Sequence, residues 1–291
     1  MKKYFPLIIT AIVIISFKSC IKTLEASESP LPIFTKTFDS VPIIKKINFP
    51  IHETSGIADS KLNPGFLWAQ EDSDTPTQLY LINHNGNLAK KIYIKNVVNR
   101  DWEDMSLVGD EIYIGEIGDN NLVYPVYSFY KFSEPLISVD TVYDASNIQF
   151  VYPDGSHDAE AFLVDPATKD IYIITKRDQP SKIYKLAYPY KTTGINSATF
   201  VGNLDYTGVV GAAISPNGKE ILVKTYTTLF YYSRKNNEDI SETLKKEYSK
   251  IGYIMEPQGE AVAFANNNSG FFTLSEKGFS NAVSLYFYPR K

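Results

Sequence analysis

Asp158-Ala159-Glu160-Ala161-Phe162-Leu163 is one of five short segments that recur along the chain, and this recurrence decides the fold. The other four copies are residues 53–58, 101–106, 209–214 and 258–263. Their third positions, 55, 103, 160, 211 and 260, recur at intervals near fifty residues in a chain of 291 residues. A repeat of that length is typical of a four-stranded propeller blade.

The later strands of each unit recur as well. A second strand follows each copy, as in Ile171-Tyr172-Ile173, and a third strand carries a central aromatic residue, as in Ile183-Tyr184-Lys185. Turns rich in Gly, Asp, Asn or Lys introduce most of the second strands, which is a hairpin signal. The sequence therefore predicts an all-β fold, a β-propeller of five four-stranded blades. Six blades are the alternative if the 57-residue interval between positions 103 and 160 hides a degenerate unit.

The two ends of the chain are expected to share one blade. The fifth unit ends after its third strand, near residues 284–288, and therefore lacks an outer strand. The apolar segment at residues 40–50 precedes the first copy and has no other partner, so it is expected to supply that strand and to bury Ile43, Ile47 and Phe49. Such pairing would remove the open edges of the ring. One short helix is also expected near residues 239–250, with Asp239 as its N-cap.

The N-terminus has the layout of a bacterial lipoprotein signal peptide. Two lysines precede an apolar run at residues 4–17, which is too short to span a bilayer as a helix, and Lys18-Ser19-Cys20 follows. Cleavage before Cys20 would leave it as a lipidated N-terminus that contacts the bacterial membrane; ordinary signal cleavage is the alternative. The predicted organisation is a signal peptide at 1–19, a flexible tether at 20–37 and one propeller domain at 38–291. The predicted location is the cell envelope, as a membrane lipoprotein on its periplasmic or outer-surface face.

The amino-acid composition argues against nucleic-acid binding and against a disulfide within the chain. The net charge is −4, and cleavage of the signal peptide would remove three further lysines, so the mature chain is acidic. An acidic chain is unsuited to bind nucleic acid. Because the chain has a single cysteine, no disulfide can form within it.

The repeat places acidic residues around the channel, because the first strand of each propeller blade lines it. The equivalent positions form a ring of Ser55, Glu103, Glu160, Gly211 and Glu260. Side chains two residues apart share a face of a strand, so a second ring of Glu53, Asp101, Asp158, Val209 and Gln258 is expected beside the first.

Crowded carboxylates stay ionised only if a cation, a basic side chain or a hydrogen-bond network offsets them. Oxygen ligands around an axis suit Ca²⁺ better than Zn²⁺. The predicted metal ligands are Glu103, Glu160, Glu260, Asp101 and Asp158.

The ends of the second strands are expected near the same mouth and add both acidic and basic residues, among them Asp72 and Glu276. Lys176, Arg177 and Lys224 would either hold a phosphate or carboxylate beside the metal or neutralise the acidic ring. Gly118-Asp119-Asn120 is either part of the site or a plain turn. The candidate ligand-binding residues are Lys176, Arg177, Lys224, Glu116 and Asp119.

Several motifs give the chain a family resemblance. The most specific are Asp101-Trp102-Glu103-Asp104 and Gly118-Asp119-Asn120, supported by Thr54-Ser55-Gly56-Ile57-Ala58 and Gln258-Gly259-Glu260-Ala261. From about residue 53 to 290 the chain resembles a group of exported bacterial propeller proteins, distantly similar to SdiA-regulated proteins and esterase-like phytase propellers. The resemblance implies a propeller with a divalent-metal site in its channel. The multi-calcium phosphate-binding pattern of the phytases is not recognisable, so no activity is carried over to individual residues.

Two functions fit these features. The first is a lipid-anchored binding or scaffold protein whose acidic, Ca²⁺-binding mouth recognises a small anionic ligand, a peptide or a glycan. The second is a metal-dependent hydrolase that acts on a phosphoester or related ester, with a bound cation that activates water. A hydrolase needs an open coordination position and a nearby carboxylate base, whereas a fully ligated or salt-bridged channel favours the binding protein.

Overall fold

The computed structural model describes residues 33–73, 75–236, 238–277 and 282–291. The predicted signal peptide and Cys20 lie outside these ranges. Nearly all of the regular structure is β-strand, and one short helix interrupts it. In chain order the elements are β1 (Ile43–Lys46), β2 (Thr54–Asp59), β3 (Phe66–Glu71), β4 (Gln78–Asn83), β5 (Leu88–Ile94), β6 (Trp102–Val108), β7 (Glu111–Glu116), β8 (Tyr127–Ser133), β9 (Thr141–Val142), β10 (Ser146–Val151), β11 (Ala159–Val164), β12 (Ile171–Thr175), β13 (Lys182–Leu186), β14 (Asn196–Ser197), β15 (Thr199–Asn203), β16 (Val209–Ile214), β17 (Glu220–Thr225), β18 (Leu229–Ser233), α1 (Ile240–Leu244), β19 (Ser249–Ile251), β20 (Gly259–Phe264), β21 (Gly270–Ser275) and β22 (Ser284–Pro289).

In the described part of the chain the strands form five separate sheets, which confirms the prediction of a five-bladed propeller. Blade one is β2-β3-β4-β5, blade two β6-β7-β8-β10, blade three β11-β12-β13-β15, blade four β16-β17-β18-β19 and blade five β20-β21-β22-β1. Neighbours within these four-strand blades are antiparallel.

The first strand of each blade lies at the centre of the ring. The inner strands β2, β6, β11, β16 and β20 each contact the inner strands of the two neighbouring blades, and β20 contacts β2 to complete the circle. The hydrophobic cores lie between adjacent blades rather than within one. Between blades two and three, for example, the rings of Phe129 and Phe162 meet edge to face at 4.9 Å. Burial on both faces holds each inner strand in place around the channel.

The alternative of six blades is wrong, and the long interval that suggested it has a different explanation. Part of that interval forms β9, which pairs in parallel with the outer strand β5 of blade one through Tyr93↔Thr141 and Ile94↔Val142. The additional residues therefore extend a neighbouring blade. A second short strand, β14, extends blade two in the same way by pairing with β10.

The outer strand of blade five comes from the N-terminal side of the chain. Strand β1 pairs antiparallel with β22, from Ile43↔Phe287 to Lys46↔Ser284. Ile47 is buried in the core between blades five and one, whereas Ile43 is half exposed rather than buried as expected. Backbone contacts to the propeller also begin before residue 38, because Thr35 N donates to the carbonyl oxygen of Lys250 at 2.9 Å.

The predicted helix is present as α1 but is shorter than expected. Asp239 caps it, since its side chain accepts a hydrogen bond from Ser241 N at 2.8 Å. Between the helix and β19, the ring of Tyr248 packs against that of Phe230 at 4.9 Å. No helix among the described residues is long and apolar enough to cross a bilayer.

Candidate functional site

Each inner strand carries a β-bulge near its start. The register with the second strand shifts by one residue in all five blades. A bulge leaves one residue unpaired and changes the direction of its side chain. The bulged residues are Ser55, Glu103, Glu160, Val210 and Glu260.

The bulges show that the sequence alignment of blade four was wrong by one residue. Val210, not Gly211, is equivalent to the ring glutamates. In the second ring, whose members lie two residues earlier in the chain, Gly208 therefore takes the position that was assigned to Val209. The segment Val209-Val210-Gly211-Ala212-Ala213 has no polar residue to fix its register against the other repeats. Blade four therefore contributes no carboxylate to either ring, as expected.

Three glutamates from three blades meet at the channel mouth. Oxygens of Glu103, Glu160 and Glu260 lie within 4.8 Å of one another, and all three side chains are buried. The hydroxyl of Ser55, in blade one, donates to Glu260 Oε2 at 3.0 Å and lies 3.4 Å from Glu103 Oε2. The phenol of Tyr226, in blade four, donates to Glu260 Oε1 at 2.7 Å. Each of the five blades thus contributes a polar group to one point near the axis.

A second acidic group adjoins the first and shares one residue with it. Oxygens of Asp72, Asp101 and Glu103 also lie within 4.8 Å of one another. Asp72 and Asp101 are partly buried, so this group lies closer to solvent than the three glutamates. Glu53, expected in the same ring, is exposed and belongs to neither group.

The environment disfavours the ionised form of these carboxyls. Burial, reinforced by the charges of Glu160 and Asp72, raises the pKa of Glu103 well above its usual range. Burial also raises the pKa values of Glu160 and Glu260, although Lys176 opposes the shift in both. Burial and the neighbouring Asp72 raise the pKa of Asp101 to about 7. Additional positive charge near the cluster would therefore favour the ionised form of these carboxyls.

Lys176 is the one cation among the described residues that forms an ion pair with any of the three glutamates, and its partner is Glu160. Burial works against its charge, but Glu160 and Glu260 raise the pKa of Lys176 above its usual range. Arg177 does not reach the glutamates, because its Nε lies 2.7 Å from Asp158 Oδ2 and its Nη2 donates to Asn120. Lys176 and Arg177 therefore each form an ion pair with an acidic residue.

Lys224 belongs to a separate buried pair beside the channel. Its ammonium donates to the carbonyl oxygen of Gly259 and lies 3.7 Å from Glu256 Oε2. Both side chains of the pair are fully buried. Burial lowers the pKa of Lys224 and raises that of Glu256. Lys224 thus links blade four to blade five, and its buried ammonium is not exposed at the channel mouth.

The carboxylates of Glu116 and Asp119 accept hydrogen bonds from nearby backbone N–H groups. Glu116 accepts hydrogen bonds from the backbone N–H groups of Arg100 at 2.9 Å and Asp101 at 2.8 Å, which fixes the entry to β6. The carboxylate of Asp119 accepts from Val123 N and Tyr124 N, both at 2.9 Å. The Asp119 carboxylate thus serves its own turn, whereas Gly118 packs against the carboxylates of Glu103 and Asp101.

Asp104 is an acidic residue of the interior that sequence reasoning missed. It is buried, and its Oδ2 accepts from the backbone N–H groups of Phe162 at 3.3 Å and Ala212 at 3.4 Å, in two other blades. Simple alternation would direct the residue after Glu103 away from the channel, but a bulge lets consecutive side chains share a face. Burial raises the pKa of Asp104 well above its usual range.

Gln70 is a second buried polar residue of the interior. Neither its amide oxygen nor its amide nitrogen has a hydrogen-bond partner among the described residues. It lies in β3 opposite Gly56, the residue that follows Ser55. Blade one therefore contributes a buried amide, that of Gln70, in addition to the Ser55 hydroxyl at the mouth.

Tyr226 was also missed, although a second repeat signal identifies it. The residue that directly follows the second strand occupies an equivalent position in each blade. Those residues are Asp72, Ile117, Lys176, Tyr226 and Glu276. Burial and the charge of Glu260 raise the pKa of Glu276 to about 8, which places its carboxyl in the electrostatic field of the mouth.

Comparisons with known proteins establish similarity of fold. No protein-family model matches the chain, and no curated protein matches it significantly. A luciferin-regenerating enzyme is similar at 10% identity and a TM-score of 0.51, over 85% of this chain and 95% of that one. Identity at this level shows the fold alone.

Two further solved structures have lower TM-scores. Hydrazine synthase of Kuenenia stuttgartiensis is 12% identical with a TM-score of 0.43, over 80% of this chain and 70% of that one. An auxiliary nutrient binding protein of Bacteroides thetaiotaomicron is 8% identical with a TM-score of 0.48, over 89% of this chain and 75% of that one.

Proposed function

We propose that the chain is a binding protein of the cell envelope whose channel mouth holds Ca²⁺ and presents it to a ligand. The observation that carries this proposal is the meeting of Glu103, Glu160 and Glu260, buried and with oxygens within 4.8 Å of one another. Lys176 brings one positive charge to three carboxyls, and Glu160 Oε2 is buried without a hydrogen-bond partner among the described residues. A divalent cation would offset the excess of negative charge and would bind the unpaired oxygen of Glu160.

The ligand types favour calcium. Both acidic groups consist of carboxylates alone, with the Ser55 hydroxyl beside them. Zn²⁺ is normally held by nitrogen and sulfur ligands, whereas Ca²⁺ takes about six to eight oxygen ligands in flexible geometry. Three carboxylates and one hydroxyl leave positions for water or for oxygens of a ligand. The propeller fold itself is compatible with a binding or scaffold role.

The rim of the mouth favours a small anionic ligand, or a peptide or glycan that offers a carboxylate. Lys176 and the half-exposed Arg177 lie at this rim. Such a ligand would supply oxygen to the cation and accept hydrogen bonds from the rim. Binding of this kind needs no catalytic base.

Removal of calcium is expected to lower the melting temperature of the full chain. A ligand that binds the native state alone stabilises it by about 2.7 kcal/mol at a hundred times its dissociation constant. Glu103→Gln and Glu160→Gln should each weaken this calcium dependence. In chelator, Glu103→Gln should be at least as stable as the wild type, because a neutral amide relieves the crowding of buried carboxyls. Differential scanning calorimetry with Ca²⁺ and with EDTA measures all of these changes.

The matched control is Glu53→Gln, which alters an exposed carboxylate outside both acidic groups. This variant should respond to calcium as the wild type does. Equal melting temperatures with Ca²⁺ and with EDTA, in the wild type and in both variants, would contradict a calcium site.

The lipid anchor at Cys20 is a further part of the proposal and rests on the sequence alone. Growth with a fatty-acid analogue is expected to label the wild type and to miss Cys20→Ala. Labelling of both proteins to the same extent would remove the anchor. The proposed cell-envelope location, and the family resemblance that accompanies it, depend on the same exported N-terminus.

The second candidate is a metal-dependent phosphoester hydrolase, and one feature of the site favours it. Asp72 and Asp101 lie directly beside Glu103, so a carboxylate adjoins the proposed cation where a general base would be needed. Release of phosphate from 4-nitrophenyl phosphate that requires Ca²⁺ and is lost in Asp101→Asn would support hydrolysis. Calcium binding without such activity would leave the binding role.

A further inference from the structure

A cavity of about 270 Å³ lies between blades five and one. Its lining includes Asp59, the last residue of β2, whereas the acidic mouth lies at the other end of that strand near Ser55. A strand rises about 3.3 Å per residue, so the two ends of β2 are well separated. The cavity is therefore distinct from the proposed calcium site.

One wall of the cavity is apolar and belongs to a single face of blade five. Ile43 of β1 lies opposite Phe287 of β22, and Phe287 lies opposite Phe272 of β21. Directly opposed residues project from the same face of a sheet. Leu285 extends this face, and Ile43 remains half exposed although it lines the cavity.

A single lysine lies on the same apolar face. Lys45 is two residues from Ile43, lies opposite Leu285, and lines the cavity. It is partly buried, yet its ammonium has no hydrogen-bond or ion-pair partner among the described residues. An ammonium beside an apolar cavity is stabilised by an anion that reaches it.

Among the described residues that line the cavity, Asp59 is the only one with a carboxylate, and both of its oxygens have other partners. Asp59 Oδ1 lies 2.8 Å from His84 Nε2, and Asp59 Oδ2 accepts a hydrogen bond from Asn266 N at 2.8 Å. The His84 ring in turn lies 4.7 Å from the ring of Phe272. These contacts hold a second aromatic surface at the edge of the cavity and leave Lys45 unpaired.

We propose that this cavity binds a small carboxylic acid with a ring-sized apolar body, whose carboxylate pairs with Lys45. An apolar cavity of about 150 Å³ engineered in another protein is large enough to bind benzene. The cavity between blades five and one is larger and has aromatic side chains on two sides, so it has room for a ring and a carboxylate. Phe272, Phe287 and His84 provide the contacts for the ring.

Phenylacetate titrated into the full chain by calorimetry tests this proposal. Lys45→Met keeps the apolar stem and removes the charge, so it should weaken phenylacetate binding about ten- to hundredfold, the range of a charge-assisted hydrogen bond. The matched control is Lys46→Met, an exposed neighbour on the opposite face of β1, which should bind as the wild type does. The uncharged phenylacetamide should bind the wild type and Lys45→Met with similar, weak affinity.

Two results would overturn the proposal. One is the absence of saturable phenylacetate binding to the wild type, and the other is equal affinity of the wild type and Lys45→Met. Ile43→Trp, which fills the cavity from an exposed position, should also abolish binding if the site is correct. EDTA should leave the affinity unchanged, since a loss in chelator would place the ligand at the acidic mouth instead.

Discussion

A chain that lacks residues 38–50 is expected to lose about 3–6 kcal/mol of unfolding free energy. The deletion removes β1 from β22 and exposes the edge of that strand. It also removes Phe38 and Ile47, both buried, and burial of such a side chain contributes roughly 1.5–3 kcal/mol. The ring of Phe38 meets that of Phe271 edge to face at 5.0 Å, so its loss also opens the core between blades four and five. Urea unfolding followed by circular dichroism measures the change.

Ile44→Ser is the matched control for this deletion, because Ile44 lies in the same strand but is half exposed. Its effect should stay within about 1 kcal/mol, as expected for a surface position. Unchanged stability of the deleted chain would show that β1 does not support the ring.

Arg234→Met is expected to destabilise the propeller by about 3–5 kcal/mol, the usual cost of leaving one member of a buried ion pair without its partner. Arg234 Nη2 lies 2.5 Å from Asp165 Oδ2, and Nη1 lies 3.3 Å from Oδ1. Both side chains are buried. Since Asp165 follows β11 and Arg234 follows β18, this pair joins blade three to blade four.

Lys235→Met, at the exposed neighbouring position, should change stability by less than about 1 kcal/mol. Adding Asp165→Asn to Arg234→Met should recover part of the loss, because the stranded charge is then removed. If urea unfolding shows that Arg234→Met is as stable as the wild type, the pair of Arg234 and Asp165 contributes little to stability.

The fold could be predicted from the sequence because its repeat is marked by residue types with clear physical roles. A glutamate occupies the equivalent position in three blades, and the third strand of each blade carries an aromatic residue. These two signals were sufficient to count the blades. Blade four shows the limit of this approach, since Val210 and Gly211 differ little from their neighbours in chemistry and only strand pairing fixes their register.

The candidate site was predictable only in part. The meeting of Glu103, Glu160 and Glu260 follows from their equivalent positions, but the roles of their neighbours depend on geometry that spacing does not specify. Asp119 shows this, because its carboxylate faces the backbone of its own turn. Tyr226 shows the reverse, since a residue in a turn reaches across to Glu260. Asp104 was missed because a bulge changes the alternation on which the prediction depended.

Calcium titration of the full chain by isothermal calorimetry, after removal of bound metal, tests the central claim most directly. Saturable binding of at least one Ca²⁺ per chain is predicted for the wild type and for Glu53→Gln. Glu103→Gln and Glu260→Gln should each weaken that binding at least tenfold, which corresponds to about 1.4 kcal/mol. Absence of saturable binding, or equal affinity in all four proteins, would contradict a cation site at the channel mouth.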